Sequence, residues 1–498
     1  MSKVLSRGCL IHAGLLITDP EATPGVETDA GLRLDGDRVA EVGPFARLRA
    51  AHPDLPVIGG PQMIALPGLI NAHDHGRGLS PLSLGIRDDL LEPWILSLMR
   101  MPALDVGLDT QLSALRQLAS GITTTVNSYY HPRCDGDHLA AVLAGYEAAG
   151  QRARVVFSAM DAPATGRLLA EAAALMPDHA AAEVRAFLAA RKPFEQSAWE
   201  ALLRALAPGR RDSVVGLMAG VVSGHWSSDA QIARVAELAA ELGLAQQMHL
   251  LESRFQARDD APAHPRFGGS ITRHLAGLGA LGPGVSCAHC VQMRPADWAV
   301  MAGTGASVVT NPSSNLRLQS GVAPLRGMLD AGVNVALGLD SMGLDDRPDI
   351  FAEMRLAHRL HGDLSPREVL AMATTRAARA LGLGDDLGRL VPGAAADLVL
   401  LDGAGIFAPG LAAPGDVFER VVFYASPAIV REVVVAGRHV LQQGRHGTLD
   451  EAALVAALAD QVTPGDPALE GFLSRVAPYL RDALSGTARG AGSARAQR

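Results

Sequence analysis

Along residues 65–390 two hydrophobic patterns take turns. One is a short, almost wholly apolar run: MIALPGLINAH, ITTTVNSYY, RARVVFSAM, SVVGLMAGVV, LAQQMHLLE, GVSCAHC, ASVVTN and VNVALGLD. Runs of this kind predict strands buried on both faces of a parallel sheet. The other pattern spaces its apolar residues at helical intervals, as in TQLSALRQLASG, GDHLAAVLAGYEAAG, SSDAQIARVAELAAELG and PLRGMLDAGV. Several of these stretches open on Thr, Ser or Asp and close on Gly, which predicts capped helices. Eight strands with helices between them predict an α/β fold, a (β/α)8 TIM barrel.

The two ends of the chain are patterned differently. Residues 1–64 and 391–445 carry short alternating runs with Gly and Asp-Gly turns (AGLRLDGDRVAEVG, VREVVVAGRHVLQQG), which predict antiparallel β-structure. We expect them to pair into one small β-sandwich domain built from both ends, with residues 65–390 forming the barrel. The Ala- and Arg-rich stretch 161–213 predicts helices inserted before the fourth barrel strand, and residues 446–498 a helical appendage ending in a disordered tail, SGTARGAGSARAQR.

Composition narrows the function classes. The net charge of −8 is modest and the basic residues are dispersed, so no footprint for nucleic acid is expected. No apolar run is long enough to span a bilayer, and the first residues lack the apolar core of a secretion signal. Four scattered cysteines (Cys9, Cys134, Cys287, Cys290) do not make a disulfide framework. A cytoplasmic protein is the expectation.

The candidate chemistry begins at LPGLINAHDHGRG. On a strand, residues two apart share a face, so His73 and His75 would project together, with Asp74 opposite. Two neutral imidazoles so placed make half of a divalent-metal site, and the alternative is an ordinary pair of loop histidines. His249, His289 and Asp340 close three further strand runs. In a parallel barrel the strand ends meet at one face, where barrel enzymes keep their chemistry. Buried imidazoles and a carboxylate gathered there need a partner, and one cation supplies it for all.

The ordered set PGLINAHDH, MHLLE, CAHC, NPSSNLRLQSGVAPLRGMLDAGVNVALGLDS and PGAAADLVLLD resembles the amidohydrolase superfamily, in particular its branch of cytosine, guanine and adenosine-type deaminases and triazine hydrolases. The resemblance runs from about residue 8 to 445 and implies a distorted barrel with an end-formed β-sandwich. It also implies that His73, His75, His249 and Asp340 hold one divalent metal, zinc first and iron second. Asp340, His289 and Glu252 would be the catalytic groups, with Glu252 of the HxxE pattern shuttling protons; the alternative for Glu252 is a surface residue at a strand end. A second metal would require a carboxylated lysine on the fourth strand, and RDSVVGLMAGVVSGHW contains none. Cys287 and Cys290 bracket His289 as CxxC; no second CxxC accompanies them, and they read as packing residues.

Four residues are candidates for substrate contact. Arg77 would grip a carbonyl or carboxylate, or else pair with Asp74 or with Asp88 and Asp89. His225 corresponds to a histidine that related deaminases use near substrate, or is a plain rim histidine; Trp226 beside it would wall the pocket. Asn311 follows the seventh strand run and would touch or shape the pocket, while Asp345 and Asp346 read as a solvated loop. The function expected is hydrolysis of a non-peptide C–N bond, foremost deamination of a purine-, pyrimidine- or triazine-type ring by a metal-activated water. An amide, urea, carbamate or chlorinated ring is the alternative on the same machinery, and a non-catalytic scaffold the rival from another class. The expected partners are a small heterocyclic substrate and copies of the chain itself, as a homodimer or higher homo-oligomer.

Overall fold

The computed structural model describes residues 8–131, 134–211, 213–341, 343, 345–384, 386–407 and 416–485; the expected disordered tail lies outside the described residues. The chain opens with four strands, β1 (Cys9–Ile17), β2 (Val26–Asp35), β3 (Arg38–Pro44) and β4 (Val57–Pro67). The Asp-Gly turn after Asp35 closes the β2–β3 hairpin, with Gly36 at a φ of 58° that L-residues rarely adopt. The run MIALPGLINAH, which reads as one strand, serves two sheets. It breaks at Gly68, where a Cβ would lie 2.1 Å from Thr123 Oγ1, so only glycine lets the chain cross there.

Beyond Gly68 come the eight strands of the barrel: β5 (Leu69–Asn71), β6 (Ile122–Tyr129), β7 (Arg152–Ala159), β8 (Val215–Val221), β9 (Gln246–Leu250), β10 (Val285–His289), β11 (Ser307–Thr310) and β12 (Val335–Leu337). They are parallel and neighbour one another in sequence order. Every residue of β6, β7 and β8 is buried, which explains why their sequences do not alternate. Val155, Phe157, Leu217 and Ala219 pack with Ile232, Val235 and Leu238 of the helix Asp229–Leu242. The intervening Val156 and Met218 join Val126, Val309 and Ala336 in a separate cluster with the helix Thr375–Ala380.

The ring is nearly closed. β12 meets β5 through Ala72 N–H donating to Leu337 O at 3.0 Å and Asp340 N–H donating to His73 O at 2.9 Å. This seam places Asp340 beside His73. β8 and β9 share little ladder, holding at Ala219–Gln246 and again at Ser223–His249.

After the barrel, β13 (Leu398–Asp402), β14 (Val430–Val435), β15 (Arg438–Gln442) and β16 (Arg445–His446) return to the first sheet, whose order is β16-β15-β14-β13-β4-β1-β2-β3. Strands from both chain ends thus form one mixed sheet. A buried bidentate ion pair ties it to the barrel: Arg152, at the start of β7, donates Nε and Nη2 to Asp397 at 2.8 and 2.9 Å. Three helices, Ala164–Ala173, Asp178–Ala189 and Gln196–Leu206, fill the connection before β8. The helix Pro467–Ser485 packs on the first two of them, and Phe472, Leu473 and Val476 share a cluster with Leu168, Leu96 and Phe255. Among the described residues no helix is long and apolar enough to cross a membrane.

Candidate metal centre

His73 and His75 lie just past the regular strand, which ends at Asn71. The departure from strand geometry has a local cause. The Asp74 carboxylate accepts from Asn71 Nδ2 at 2.8 Å and from Gly76 N–H at 2.7 Å, folding the segment into a tight turn with Gly76 at φ 65°. Both histidines nevertheless converge: Nε2 of His73 and of His75 lie 3.1 and 3.0 Å from Asp340 Oδ1. His249 sits on β9 and His289 ends β10, with rings 5.4 Å apart. His289 and Asp340 take φ values of 70° and 55°, left-handed conformations that L-residues hold only when their surroundings enforce them.

Each imidazole is oriented by a hydrogen bond on its Nδ1. His73 donates to Gln247 Oε1 at 2.7 Å, His75 to Ser128 O at 3.1 Å, His249 to Val222 O at 2.5 Å and His289 to Asn315 Oδ1 at 2.9 Å. With Nδ1 engaged as a donor, every Nε2 presents a lone pair to the centre. Asp340 Oδ2 accepts from Ser314 Oγ at 2.6 Å. His73 Nε2, His289 Nε2 and Asp340 Oδ1 are buried without any hydrogen-bond partner. Orphaned acceptors at one point are costly in the fold and suited to a cation. One ligand atom from each of His73, His249, His289 and Asp340 falls within 4.8 Å of the others. The tightest grouping therefore contains His289, with His75 flanking it through Asp340.

The electrostatics divide the titratable groups. Burial pushes the His289 imidazole down to about 4 and His249 well below its usual range, so both imidazoles are neutral. Burial alone would raise Asp340, but His289, His73 and His75 outweigh it and hold the carboxyl far down. Glu252, one of the most deeply buried carboxyls, is lifted well above the ordinary glutamate value by burial, then by Asp340 and Glu92. Its Oε2 stands 3.6 Å from His289 Nε2, so the reading of Glu252 as a surface residue does not apply. Glu92, also buried, accepts a short hydrogen bond from Ser253 Oγ.

These groups open onto a cavity of about 590 Å³ whose lining includes His75, His249, Glu252, His289 and Asp340. Arg77 and Trp226 line it as well. Arg77 does not pair with Asp74, and Asp88 and Asp89 bind Arg317 and Arg481 instead. His225 instead lines an adjoining cavity of about 880 Å³, stacked edge-on against Phe267 at 5.8 Å. Its two ring nitrogens have no partner, and burial holds its pKa down at about 3. Asn311 is fully buried, with its amide 3.3 Å from His289 Nδ1, and does not line either cavity. It supports the imidazole from behind. Asp345 is exposed, as a solvated loop residue is, whereas Asp346 is partly buried and accepts from Ser80 Oγ and from Arg317. All four cysteines are free and buried, and Cys287 and Cys290 belong to the main apolar cluster, as packing residues do.

The supporting residues Gln247, Ser314, Asn315 and Glu353 were not legible as such. Gln247 had one available signal, its position two residues before His249 on the same strand face. Glu353, on the helix Ile350–Leu360, gave none. It is buried and accepts both the N–H of Ser313, at 2.8 Å, and its Oγ–H, anchoring the short helix Pro312–Arg317 that carries Ser314 and Asn315.

Comparison with known proteins adds an independent line. The amidohydrolase family model matches residues 64–440, and an imidazolonepropionase-like composite domain of bacteria matches residues 30–54. A 5-methylthioadenosine/S-adenosylhomocysteine deaminase of Moorella thermoacetica is 31% identical over 93% of this chain and 100% of its own length. A 5'-deoxyadenosine deaminase of Methanosarcina mazei is 29% identical over 89% and 95%. Among solved structures, an adenosine deaminase from Xanthomonas campestris with bound zinc is 25% identical, with a TM-score of 0.73 over 94% of this chain and 99% of that one. The zinc-complexed atrazine chlorohydrolase of Arthrobacter aurescens, 22% identical with a TM-score of 0.75 over 91% and 100%, shares the fold.

Proposed function

Because the chain belongs to the amidohydrolase family, we propose that it hydrolytically deaminates an amino-substituted N-heterocycle of the purine, pyrimidine or triazine type. It is a hydrolase of C–N bonds other than peptide bonds. The observation that carries the deaminase reading is the placement of one buried carboxyl, Glu252, beside His289 and across the same cavity from Asp340, with burial raising the proton affinity of the first and the surrounding histidines lowering that of the second. Two carboxyls driven apart in this way divide into an acid and a base.

His73, His75, His249 and Asp340 would hold one divalent cation, with His289 at the same point. Zinc suits a set of neutral imidazoles and a carboxylate, and the zinc of the adenosine deaminase relative supports that choice. When bound, such an ion lowers the pKa of a water from about 16 toward 7 and so makes a nucleophile available at neutral pH. The chain's own groups do the rest. His289 Nε2, left as an acceptor, takes a hydrogen bond from the water and aims it. Asp340 accepts a proton as the water oxygen bonds to the ring carbon. Glu252 gives its proton to the adjacent ring nitrogen, which turns the carbon tetrahedral. The C–N bond to the amino group then breaks. Of the water's two protons, one leaves in ammonia and the other restores Glu252, and the ring keeps an oxo group.

The test is ammonia release from a panel of aminopurines, aminopyrimidines and aminotriazines by zinc-loaded protein, with chloride and alkylamine assayed in parallel. Turnover that is lost in His249→Ala and Glu252→Gln supports the reading. A zinc-replete protein that releases ammonia from none of these rings overturns it.

A further inference from the structure

The cavity contains a charge that this chemistry does not use. Arg77, two residues past His75, reaches the cavity wall with its side chain half-buried. It makes no salt bridge within the described residues, and its Nη1 is buried without a hydrogen-bond partner. A guanidinium cannot discard its proton, so the charge persists even where burial opposes it. The carboxylates whose fields reach it are Asp340, Asp109 and Asp74, and each is already engaged. Asp340 accepts from Ser314 and turns its other oxygen to the imidazole cluster; Asp109 caps the N–H groups of Gly78 and Leu79 at 3.0 Å each; Asp74 closes its own turn. A cation left with spare donors in a walled chamber is costly unless something arrives to meet it.

The rest of the chamber has a different character. A cavity of about 150 Å³ already accommodates a benzene ring, so 590 Å³ takes a heterocycle and a sizeable substituent. Leu91, Trp94, Ile95, Met99, Val142 and Met160 supply apolar wall for that substituent. The other guanidinium on the wall, Arg191, borders the adjoining cavity, donates to Thr165 Oγ1 and lies over the Phe187 ring. The carboxylates among the described lining residues are Asp109, Glu252 and Asp340. Asp109 is occupied by backbone N–H groups, and Glu252 and Asp340 face the reacting atoms beside His289, so none remains to bind the hydroxyls of a sugar.

Resting on the deaminase reading, we propose that Arg77 is the specificity-determining residue. The substrate is a ring amine carrying an exocyclic carboxylate or a ring oxo group, whose oxygen the guanidinium receives, and its remaining bulk packs against the apolar wall.

Binding is measured by calorimetry on zinc-loaded wild type, Arg77→Lys and Arg77→Met, with 4-aminopyrimidine, 4-aminopyrimidine-5-carboxylate and cytosine, the first two also with a 2-benzyl substituent, and with adenosine. Ammonia release is followed on the same set. Wild type is expected to bind an oxygen-bearing ring about 100-fold more tightly than 4-aminopyrimidine, the scale of one charge-assisted bidentate contact. The carboxylate and cytosine arms identify which oxygen it is. Arg77→Met erases that preference while leaving 4-aminopyrimidine within about twofold; Arg77→Lys, which keeps the charge and loses the fork, falls between. The benzyl group tightens binding, and adenosine binds less well than the benzylated carboxylate. Equal affinity of wild type for the oxygen-bearing rings and for 4-aminopyrimidine, or a uniform loss across the set in Arg77→Met, overturns the proposal, and the wild-type comparison decides it even where a variant folds poorly. Oxygen-selective binding with no ammonia from any ring would instead sink the deaminase reading and leave the Arg77 oxygen site standing.

Discussion

Replacing Glu353 tests whether the metal centre is held from behind. Its carboxyl takes two donors from Ser313, and the helix so anchored delivers Ser314 to Asp340 and Asn315 to the His289 Nδ1. Burial, the main cause, pushes the Glu353 carboxyl up from 4.5 to about 7. The sign follows from which state binds the proton more tightly. A folded pKa above the unfolded one contributes stability that is complete below about 4.5 and is lost as pH rises through about 7. That displacement corresponds to roughly 3 kcal/mol. Glu353→Gln, a neutral isostere, should therefore gain roughly 3 kcal/mol on wild type between pH 4.5 and 8, measured by urea unfolding of metal-free protein so that the ligand histidines titrate alike in both. Glu353→Ala leaves two buried donors without acceptors and should cost roughly 2–6 kcal/mol at pH 5. Displaced catalytic groups should lower kcat of the zinc-loaded variants, about tenfold for Gln and about 100-fold for Ala, with KM little changed. A stability difference between wild type and Gln that stays flat from pH 4.5 to 8 would refute the argument from burial; an unchanged kcat in Ala would refute the argument from anchoring.

Three further outcomes are expected. Asp397→Asn strands the buried Arg152 charge and should cost about 3–5 kcal/mol in urea unfolding while kcat of the surviving folded protein is untouched, because the pair joins sheet to barrel away from the cavity. Gly338→Ala places a Cβ 2.5 Å from Asn311 Oδ1 and 2.9 Å from His73 Cβ, so competition with a zinc chelator should report a metal affinity about 10–100-fold weaker. Dialysis against a chelator should abolish activity, leave the far-ultraviolet circular dichroism unchanged and lower the melting temperature, and one equivalent of zinc should restore both. Loss of the circular dichroism signal on chelation would show instead that the ligands are organised by the ion.

The legible part of this molecule is the part whose physics is local. Buried parallel strands announce themselves as apolar runs, and all eight runs form strands. Caps such as Asp135, whose carboxylate accepts from Asp137 and His138 N–H, and Gly243 at φ 63° mark helix ends in the same way. His73, His75, His249, His289 and Asp340 could be singled out because strand ends of one barrel meet. What stayed hidden was fixed by contacts between residues far apart in the chain. The split of MIALPGLINAH at Gly68 depends on Thr123, the orientation of His73 on Gln247, and the hold on Ser313 on Glu353. The assignment of Arg77 and His225 to different cavities likewise depends on where neighbouring elements pack, not on either residue's own surroundings in sequence.

Four imidazoles, each with Nδ1 bound to an acceptor from a different part of the barrel, cannot turn their Nε2 atoms away without breaking a hydrogen bond that is buried or partly buried. Asp340 is fixed by its own N–H to His73 O, by Ser314 and by a left-handed backbone. The geometry of the His–Asp cluster is thus stored in the protein, in groups behind it. A site so preorganised spends little of its binding energy on rearrangement when an ion or substrate enters. Differences in substrate choice between relatives of this fold are then expected on the other side of the cavity, where Arg77, Trp94 and Met160 line the wall and no such network constrains what may be substituted.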